Sequence, residues 1–414
     1  LTLAYALAGA DCIDVAADPA VVAAARDGIR AMEAMVHQPY YSPWLMVSVN
    51  DGEDPHFRKV EFDPERCPPE CDRPCVLICP SQCIVFPPSK SHHSLKSHDC
   101  SNHLSSPSSD AISTYPTSEP IGVLQDRCYG CGRCIPVCPI QQIEPQSYVI
   151  SPKVIASSLL PQVDAIEIHT QVGHTEQFRN LWHQLRPHIH HLKLVAVSCP
   201  DVSTGDSRPN GEGYVDYVRS LYAIMTEDGR HPLPGALLWQ TDGRPMSGDI
   251  GKGTTHAAVR LAQKAIAAQL PGFIQLAGGT NAHTVPTLRS LGLHPCPPLA
   301  GVAYGSYARK ILTPVLDALE SPLGDQAGDR QTLPSLTKNS SNIQQLSCAS
   351  NRLETVPELL SEAVHIASSL VSPLKELTSE AGTTVPIAAT ISVPMTGYPS
   401  VTPVPPKVGT SVHL

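Results

Sequence analysis

Four cysteines near the first third of the chain constrain its fold more than any other feature. They are Cys128, Cys131, Cys134 and Cys138, and Pro139 follows the last of them. This C-x2-C-x2-C-x3-C-P spacing is that of a bacterial-type ferredoxin loop, in which three thiolates bind one iron–sulfur cluster and the fourth reaches a second one. A zinc knot built from the same thiolates is the alternative. The spacing therefore predicts an iron–sulfur cluster held by a tightly wrapped loop.

A second cysteine block lies upstream and also ends in a Cys-Pro pair. Its candidate ligands are Cys67, Cys71, Cys75 and Cys79, and Pro80 follows them. The first two gaps are each one residue longer than in the later block, and they contain prolines, which remove backbone N–H donors from the loop. We expect a [4Fe–4S] cluster here as well, with a [3Fe–4S] form as the alternative.

Aligning the two Cys-Pro pairs places Cys83 opposite Gln142, which is not a cluster ligand. Cys83 is therefore predicted to be a small buried residue. In two-cluster ferredoxins the last cysteine of each block binds the cluster of the other block. By this rule one cluster takes Cys67, Cys71, Cys75 and Cys138, and the other takes Cys128, Cys131, Cys134 and Cys79.

Composition indicates the compartment and excludes some partners. The chain has 414 residues, a net charge of −9 and a pI near 6.0, and this acidic balance argues against nucleic-acid binding. Nine of the 14 cysteines lie in the two blocks. That concentration is typical of metal ligation in a reducing compartment, so we expect a cytoplasmic protein. The apolar residues 1–10 are too few to span a bilayer, and they lack the basic residues of a signal peptide.

Outside the cysteine blocks, short apolar runs alternate with helical stretches. This pattern predicts a parallel sheet covered by helices. Seven β/α units, plus one lost from the front of the chain, would form a TIM-like (β/α)8 barrel that is N-terminally truncated. An open doubly wound sheet is the alternative. The predicted strands are 10–17, 43–50, 164–170, 192–198, 236–241, 273–277 and 301–307, and the predicted helices are 19–36, 175–185, 213–225, 254–270, 284–291 and 309–319.

The composition divides the chain into four predicted parts. Residues 1–58 form the first β/α units, and 150–320 form the remaining ones. Between them, residues 59–149 form an inserted α+β ferredoxin-like two-cluster domain after the third barrel strand. Residues 321–414 form a disordered tail rich in Ser, Pro and Thr, with one short helix near 356–370. Within the insert, 87–120 are predicted to be a disordered insertion rich in Ser, His and Pro.

Polar residues near the ends of the predicted strands are the candidates for chemistry in the barrel, because catalytic groups of such barrels lie at the C-terminal strand ends. Side chains that simply close the barrel end are the favoured alternative, and we assign no catalytic residue. The candidates are Asp14, Asp18, Glu167, His169, Cys199, Gln240 and Asp242.

A phosphate or flavin site is a further candidate, since many barrels bind a phosphate after the seventh strand and in the eighth. FMN is therefore kept as a possible cofactor. Its site would consist of Gly278, Gly279, Gly305 and Ser306.

Two more segments accompany the cysteine blocks. Residues 8–19 read Ala-Gly-Ala-Asp-Cys-Ile-Asp-Val-Ala-Ala-Asp-Pro, and residues 275–281 read Gln-Leu-Ala-Gly-Gly-Thr-Asn. Together with the blocks, they make residues 1–320 resemble the light-dependent period protein A (LdpA) family of cyanobacteria. The resemblance implies an iron–sulfur protein that passes cellular redox state, and thereby light intensity, to the circadian clock. It also implies a ligand role for the eight cysteines, and clock proteins as partners, including the Kai oscillator and an input histidine kinase.

Three functions are compatible with these residues. The first is a regulatory iron–sulfur protein whose cluster charge biases contacts with partner proteins. The second is a flavin-dependent oxidoreductase with an active site in the barrel. The third is a ferredoxin-type electron carrier. We expect a redox sensor rather than an enzyme, and redox carriers or quinones stay open as partners.

Overall fold

A computed structural model describes most of the chain. The predicted insertion at 87–120 lies outside the described residues. The described residues are 1–36, 42–52, 57–86, 121–147, 150–201, 213–227, 233, 235–243, 251–293, 297–320, 352–380 and 409–413.

The chain divides into two compact units. The larger unit comprises Leu1–Phe57 and Ser147–Leu414, and the smaller unit comprises Arg58–Gln146. We call them the sheet unit and the cluster unit.

The sheet unit is a mixed α/β structure around a curled parallel sheet. Seven strands pair in chain order, each parallel to the next. Every one of them coincides with a predicted apolar run, so the parallel α/β sheet is confirmed. The strands are β1 (Cys12–Ala16), β2 (Trp44–Asn50), β3 (Ala165–His169), β4 (Leu194–Pro200), β5 (Ala236–Asp242), β6 (Phe273–Ala277) and β7 (Leu299–Tyr304).

Helices lie between these strands, and local sequence explains where they begin. Asp18 caps the second helix, since its Oδ1 accepts hydrogen bonds from Ala20 N at 2.9 Å and Val21 N at 3.2 Å. Pro19 supplies the first helical residue. The helices are α1 (Thr2–Leu7), α2 (Pro19–Met35), α3 (Thr175–Leu185), α4 (Tyr214–Thr226), α5 (Thr255–Ala267), α6 (Thr284–Ser290), α7 (Ser306–Glu320) and α8 (Pro357–Glu380). Shorter helical turns lie at Pro152–Val154, Ile155–Leu159, Leu160–Gln162, Arg186–His188, Lys252–Thr254 and Leu353–Thr355.

An eighth strand, β8 (Gly409–His413), comes from the C-terminal end of the chain. It pairs in parallel with β7 on one side and with β1 on the other, so the sheet closes on itself. The expectation that the eighth unit is lost from the front of the chain is therefore wrong. The cluster unit consequently follows the second strand rather than the third.

Within the tail, the predicted short helix near 356–370 is confirmed, but the expected disorder is wrong for residues 371–380 and 409–413, which form regular structure as well. Helix α8 is longer than the short predicted helix and packs against α1 and α7. Ala367, Leu370 and Leu374 are fully buried along it. Burial of this apolar face explains why the segment folds despite its polar flanks.

The cluster unit is built from short elements. Arg58–Glu61 pairs with Glu144–Ser147, and Ile84–Val85 pairs antiparallel with Gly122–Val123. Its helices are Pro74–Ile78 and Cys134–Val137, and a 3-10 turn lies at Pro64–Arg66. In the part of this unit that the structure describes, five of the eight buried residues of the apolar core are cysteines, and the others are Val60, Ile84 and Ile143. So small an apolar core makes bound metal a natural source of stability for this unit.

None of the helices in the described part of the chain combines the length and the apolar composition that crossing a bilayer requires.

Candidate metal centre

The two cysteine blocks adopt equivalent backbone conformations. Each third cysteine lies at the start of a short helix, Pro74–Ile78 in the first block and Cys134–Val137 in the second. Two positions before that cysteine the chain is left-handed in both blocks, with φ of 51° at Arg73 and 73° at Gly132. A non-glycine residue adopts this conformation at a cost, so its recurrence at aligned positions indicates a shared loop shape.

A second left-handed residue lies three positions after each Cys-Pro cysteine. Gln82 has φ of 49° and Gln141 has φ of 51°. The following backbone N–H then turns back to the sulfur of that cysteine. These hydrogen bonds run from Cys83 N to Cys79 Sγ and from Gln142 N to Cys138 Sγ, each at 3.4 Å.

The eight predicted ligands lie in two groups. Burial raises the pKa of Cys67, and the nearby thiols of Cys71 and Cys138 raise it further. Burial also raises the pKa of Cys75, and the thiols of Cys138, Cys67 and Cys71 add to the effect. Cys67, Cys71, Cys75 and Cys138 therefore lie close together, and we call them the Cys138 group.

The remaining four thiols form the Cys79 group: Cys79, Cys128, Cys131 and Cys134. Burial raises the pKa of Cys134 to about 12, and the thiols of Cys131, Cys79 and Cys128 add to it. The Cys131 residue is exposed, but partial desolvation by the surrounding protein raises the pKa of its thiol, and the thiols of Cys79 and Cys128 add to the effect. Each group thus contains three cysteines of one block and the last cysteine of the other, the grouping that crossed ligation requires. Ligation itself stays a prediction.

Cys83 is buried, as predicted, but it also contacts two thiols of the Cys79 group. Its Sγ lies 3.4 Å from Cys79 Sγ, and its thiol is also hydrogen-bonded to Cys128. These hydrogen bonds lower the pKa of Cys79 to about 5 and that of Cys128 to about 6. Sequence reasoning predicts the burial of Cys83 but not its contacts with the two thiols. The alignment of Cys83 with Gln142 is the sequence signal that could have pointed to them.

The side chain of Gln142 contacts the Cys138 group in the corresponding way. Its Nε2 donates to Cys67 Sγ at 3.6 Å and to Asp63 O at 2.5 Å. Around Cys138, burial alone would raise the pKa, but backbone N–H donors outweigh it and lower the pKa. Those donors belong to Gln142, Ile140, Ile143 and Gln141.

Cationic side chains offset the negative charge that the thiolates bring. Arg73 lowers the pKa of Cys67, against the larger effect of burial. Lys59 is buried, donates to Gln125 O and places its charge near Cys128. Each group therefore has a positive partner that favours thiolate over thiol.

The donor set fits iron–sulfur clusters. Thiolates are the soft ligands that such clusters use, and each thiolate binds an iron of its own. A zinc knot would use the same thiolates and stays the alternative. Among the residues that the structure describes, no three His, Cys, Asp or Glu side chains are gathered closely enough to hold a single ion. Backbone donors to sulfur and an apolar shell complete the surroundings that clusters require.

Among the polar candidates in the sheet unit, three come together at the C-terminal strand ends. Ser48 lies within hydrogen-bonding distance of both Asp14 and Glu167, and His169 Nε2 lies 3.5 Å from Glu167 Oε1. Glu167 is fully buried, which together with the charge of Asp14 raises its pKa well above the usual value. These side chains therefore contact one another within the sheet.

The other polar candidates have hydrogen-bond partners outside this cluster, although Asp242 lies near enough to Glu167 and Cys199 to help raise the pKa of both. Ser198 donates to Asp242, and Gln240 Nε2 donates to Gln275 Oε1 at 3.1 Å. The Cys199 thiol is buried and donates to the neighbouring Pro200 carbonyl at 3.5 Å. Asp18 is the cap of α2 described above.

The candidate flavin-binding residues lie in turns, and one of these turns packs against another part of the protein. Gly278 and Gly279 have φ of 58° and 91°, and Thr254 Oγ1 donates to Gly279 O at 2.6 Å. A Cβ on Gly279 would lie 3.0 Å from Thr254, so glycine is needed for packing here. Gly305 precedes α7, which begins at Ser306. FMN binding stays a prediction.

A cavity of about 320 Å³ lies in the sheet unit near the C-terminal end of β2, and Ser48 lines it. Polar residues that line it include Ser48, Asn50, Asp51, Gln177, Asn180 and Gln184.

Comparison with known proteins places both units in one family. A family model described as the Light dependent period A C-terminal domain matches residues 159–373. A model described as the LdpA Fe-S cluster-binding domain matches residues 67–149, which contain all eight predicted ligands. A protein of Synechococcus elongatus named Light dependent period A is 42% identical over 395 residues, which cover 93% of this chain and 89% of that protein. No solved structure matches the chain.

Proposed function

The chain belongs to the Light dependent period A family and has its Fe-S cluster-binding domain, and from this premise we propose that it is a redox sensor that passes the redox state of the cell, and thereby the light level, to the circadian clock. The observation that carries the proposal is the division of eight thiols into two crossed groups inside the matched Fe–S-binding region. A pair of clusters at these positions would exchange single electrons with cellular carriers.

We propose two [4Fe–4S] clusters, one in each group. The prolines of the first block support a [3Fe–4S] form as the alternative for the Cys138 group. We also propose a TIM-like (β/α)8 barrel for the sheet unit and a ferredoxin-like fold for the cluster unit. Eight parallel strands in chain order support the first, and the equivalent loops around the two blocks support the second.

The proposed readout is a change in surface contacts of the cluster unit. Reduction adds negative charge to a cluster, and that charge acts strongly in a protein interior. Among the described residues of this unit, three large apolar side chains are exposed: Leu77 at 72%, Ile121 at 54% and Ile140 at 43%. Leu77 and Ile140 each lie two residues after a predicted ligand, so a partner bound there would sense the cluster charge. Clock proteins in the cytoplasm, the Kai oscillator and an input histidine kinase, are the proposed partners.

The test compares ligand variants purified without oxygen. Cys71→Ser removes a ligand of the Cys138 group, Cys131→Ser removes one of the Cys79 group, and Cys79→Ser tests the crossing. We expect Cys79→Ser to lose the same electron paramagnetic resonance (EPR) signal as Cys131→Ser and to keep the signal lost in Cys71→Ser. Iron and sulfide analysis should show about half of the wild-type iron in each variant. Cys12→Ser, in the sheet unit, is the matched control with unchanged iron.

The physiological test replaces the relative of this chain in a cyanobacterial host. The wild-type chain should keep the clock period responsive to light intensity, and the ligand variants should lose that response. A colourless or zinc-only protein from anoxic purification would contradict the proposal. Bound FMN with light-independent clock behaviour would favour an oxidoreductase instead.

A further inference from the structure

Cys83 and Gln142 occupy equivalent positions, each four residues after the Cys-Pro cysteine of its block. Each uses its backbone N–H and its side chain to contact two sulfurs of a single group. Cys83 contacts Cys79 and Cys128 of the Cys79 group. Gln142 contacts Cys138 and Cys67 of the Cys138 group.

The side-chain donors at these positions differ in chemistry and exposure. Cys83 presents a thiol, a weak donor, and the residue is only 3% exposed. Gln142 presents an amide, a stronger donor, on a half-buried side chain. Its amide is also shared with the carbonyl of Asp63. The backbone donors are alike, with the same 3.4 Å distance in both blocks.

We propose that Cys83 and Gln142 are positioning residues that tune the two clusters separately, with each side-chain donor acting on the reduction potential of one cluster only. This inference rests on the proposed function, because it needs a cluster in each group. In this proposal Cys83 has no ligand role, so it is not a ninth cysteine that binds iron.

The direction of the effect follows from charge. Reduction makes the cluster and its ligand sulfurs more negative, so a hydrogen bond to sulfur stabilises the reduced form more than the oxidised form. Removing a donor should therefore lower the potential of the cluster it contacts. The other cluster should keep its potential, because it does not share that donor.

The experiment is an EPR-monitored redox titration of the anoxically prepared full chain. Cys83→Ala removes the thiol and Gln142→Leu removes the amide, while both backbone donors stay. In each variant we expect one midpoint to fall, by up to about a tenfold change in the ratio of reduced to oxidised cluster, or about 59 mV for one electron. Cys83→Ser keeps a donor, and since a hydroxyl donates better than a thiol, it should restore the midpoint to the wild-type value or above. Cys12→Ala controls for the loss of a buried cysteine elsewhere.

The outcomes separate this inference from the proposed function. Two clusters with unchanged midpoints in both Cys83→Ala and Gln142→Leu would overturn the inference and leave the function intact. Loss of about half the iron in Cys83→Ala would overturn it too, because Cys83 would then be a ligand. Equal shifts of both midpoints in each variant would refute the separate tuning. A wild-type protein without two clusters would overturn both.

Discussion

Helix α8 should contribute substantially to the stability of the sheet unit, and Leu374→Ala measures that contribution. Leu374 is fully buried on the face of α8, a helix that packs against α1 and α7. The substitution removes three carbons, worth about 0.8 kcal/mol each in transfer free energy, or about 2.4 kcal/mol in all. The cavity left behind adds to this loss. We therefore expect the free energy of unfolding to fall by about 2–5 kcal/mol.

The assay is urea unfolding followed by tryptophan fluorescence. Trp44, Trp182 and Trp239 all lie in the sheet unit, and all are buried. The signal therefore reports on this unit alone. The whole sequence contains three tryptophans, so none lies in the cluster unit to complicate the transition.

Leu291→Ala is the matched control for Leu374→Ala, since the same atoms are removed from a side chain that is 49% exposed. It should cost less than about 1 kcal/mol. Equal, small losses in the two variants would refute the packing of α8 against the sheet unit.

Two further predictions concern the sheet unit. Burial first, and then the charge of Asp14, raises the pKa of Glu167. The folded protein therefore keeps a proton that the unfolded chain loses above about pH 4.3, so stability falls as pH rises from there towards the raised pKa. Glu167→Gln should flatten this fall in urea unfolding at pH 5–8, and a parallel profile would contradict it. Gly243→Ala should unfold at a lower temperature in calorimetry, because its Cβ would lie 2.0 Å from Ala258 N, whereas Gly253→Ala, with nothing within 4 Å, should change little.

Seven strands of the sheet were predictable because each is a short apolar run that is buried on both faces. The run in β4 (Leu194–Pro200) is buried at six successive positions, so composition alone identifies it. The strand β8 (Gly409–His413) was not predictable. It reads Gly-Thr-Ser-Val-His, with Val412 as its single aliphatic residue, and it follows a stretch rich in Ser, Thr and Pro. Its position in the sheet depends on pairing with the edges of β7 and β1, and no local sequence pattern predicts that pairing.

The spacing of the cysteines predicts the ligands, but it does not predict which groups surround the thiols. Spacing specifies thiolates because each one must reach iron. The donors that contact sulfur have no such pattern, since a cysteine and a glutamine serve equivalent positions at Cys83 and Gln142. The left-handed residues Gln82 and Gln141 are similarly hidden, because glutamine carries no preference for that conformation.

The pairing of Arg58–Glu61 with Glu144–Ser147 makes the cluster unit a segment that can be inserted or removed as a whole. The two strands are the entry and exit of the cluster unit, so its ends are already fastened side by side. A module of this kind can be acquired or removed at one loop without rerouting its host. Excising the cluster unit and bridging Phe57 to Ser147 with a few flexible residues would leave the sheet unit as one continuous chain. The excised cluster unit would keep its two terminal strands paired with each other.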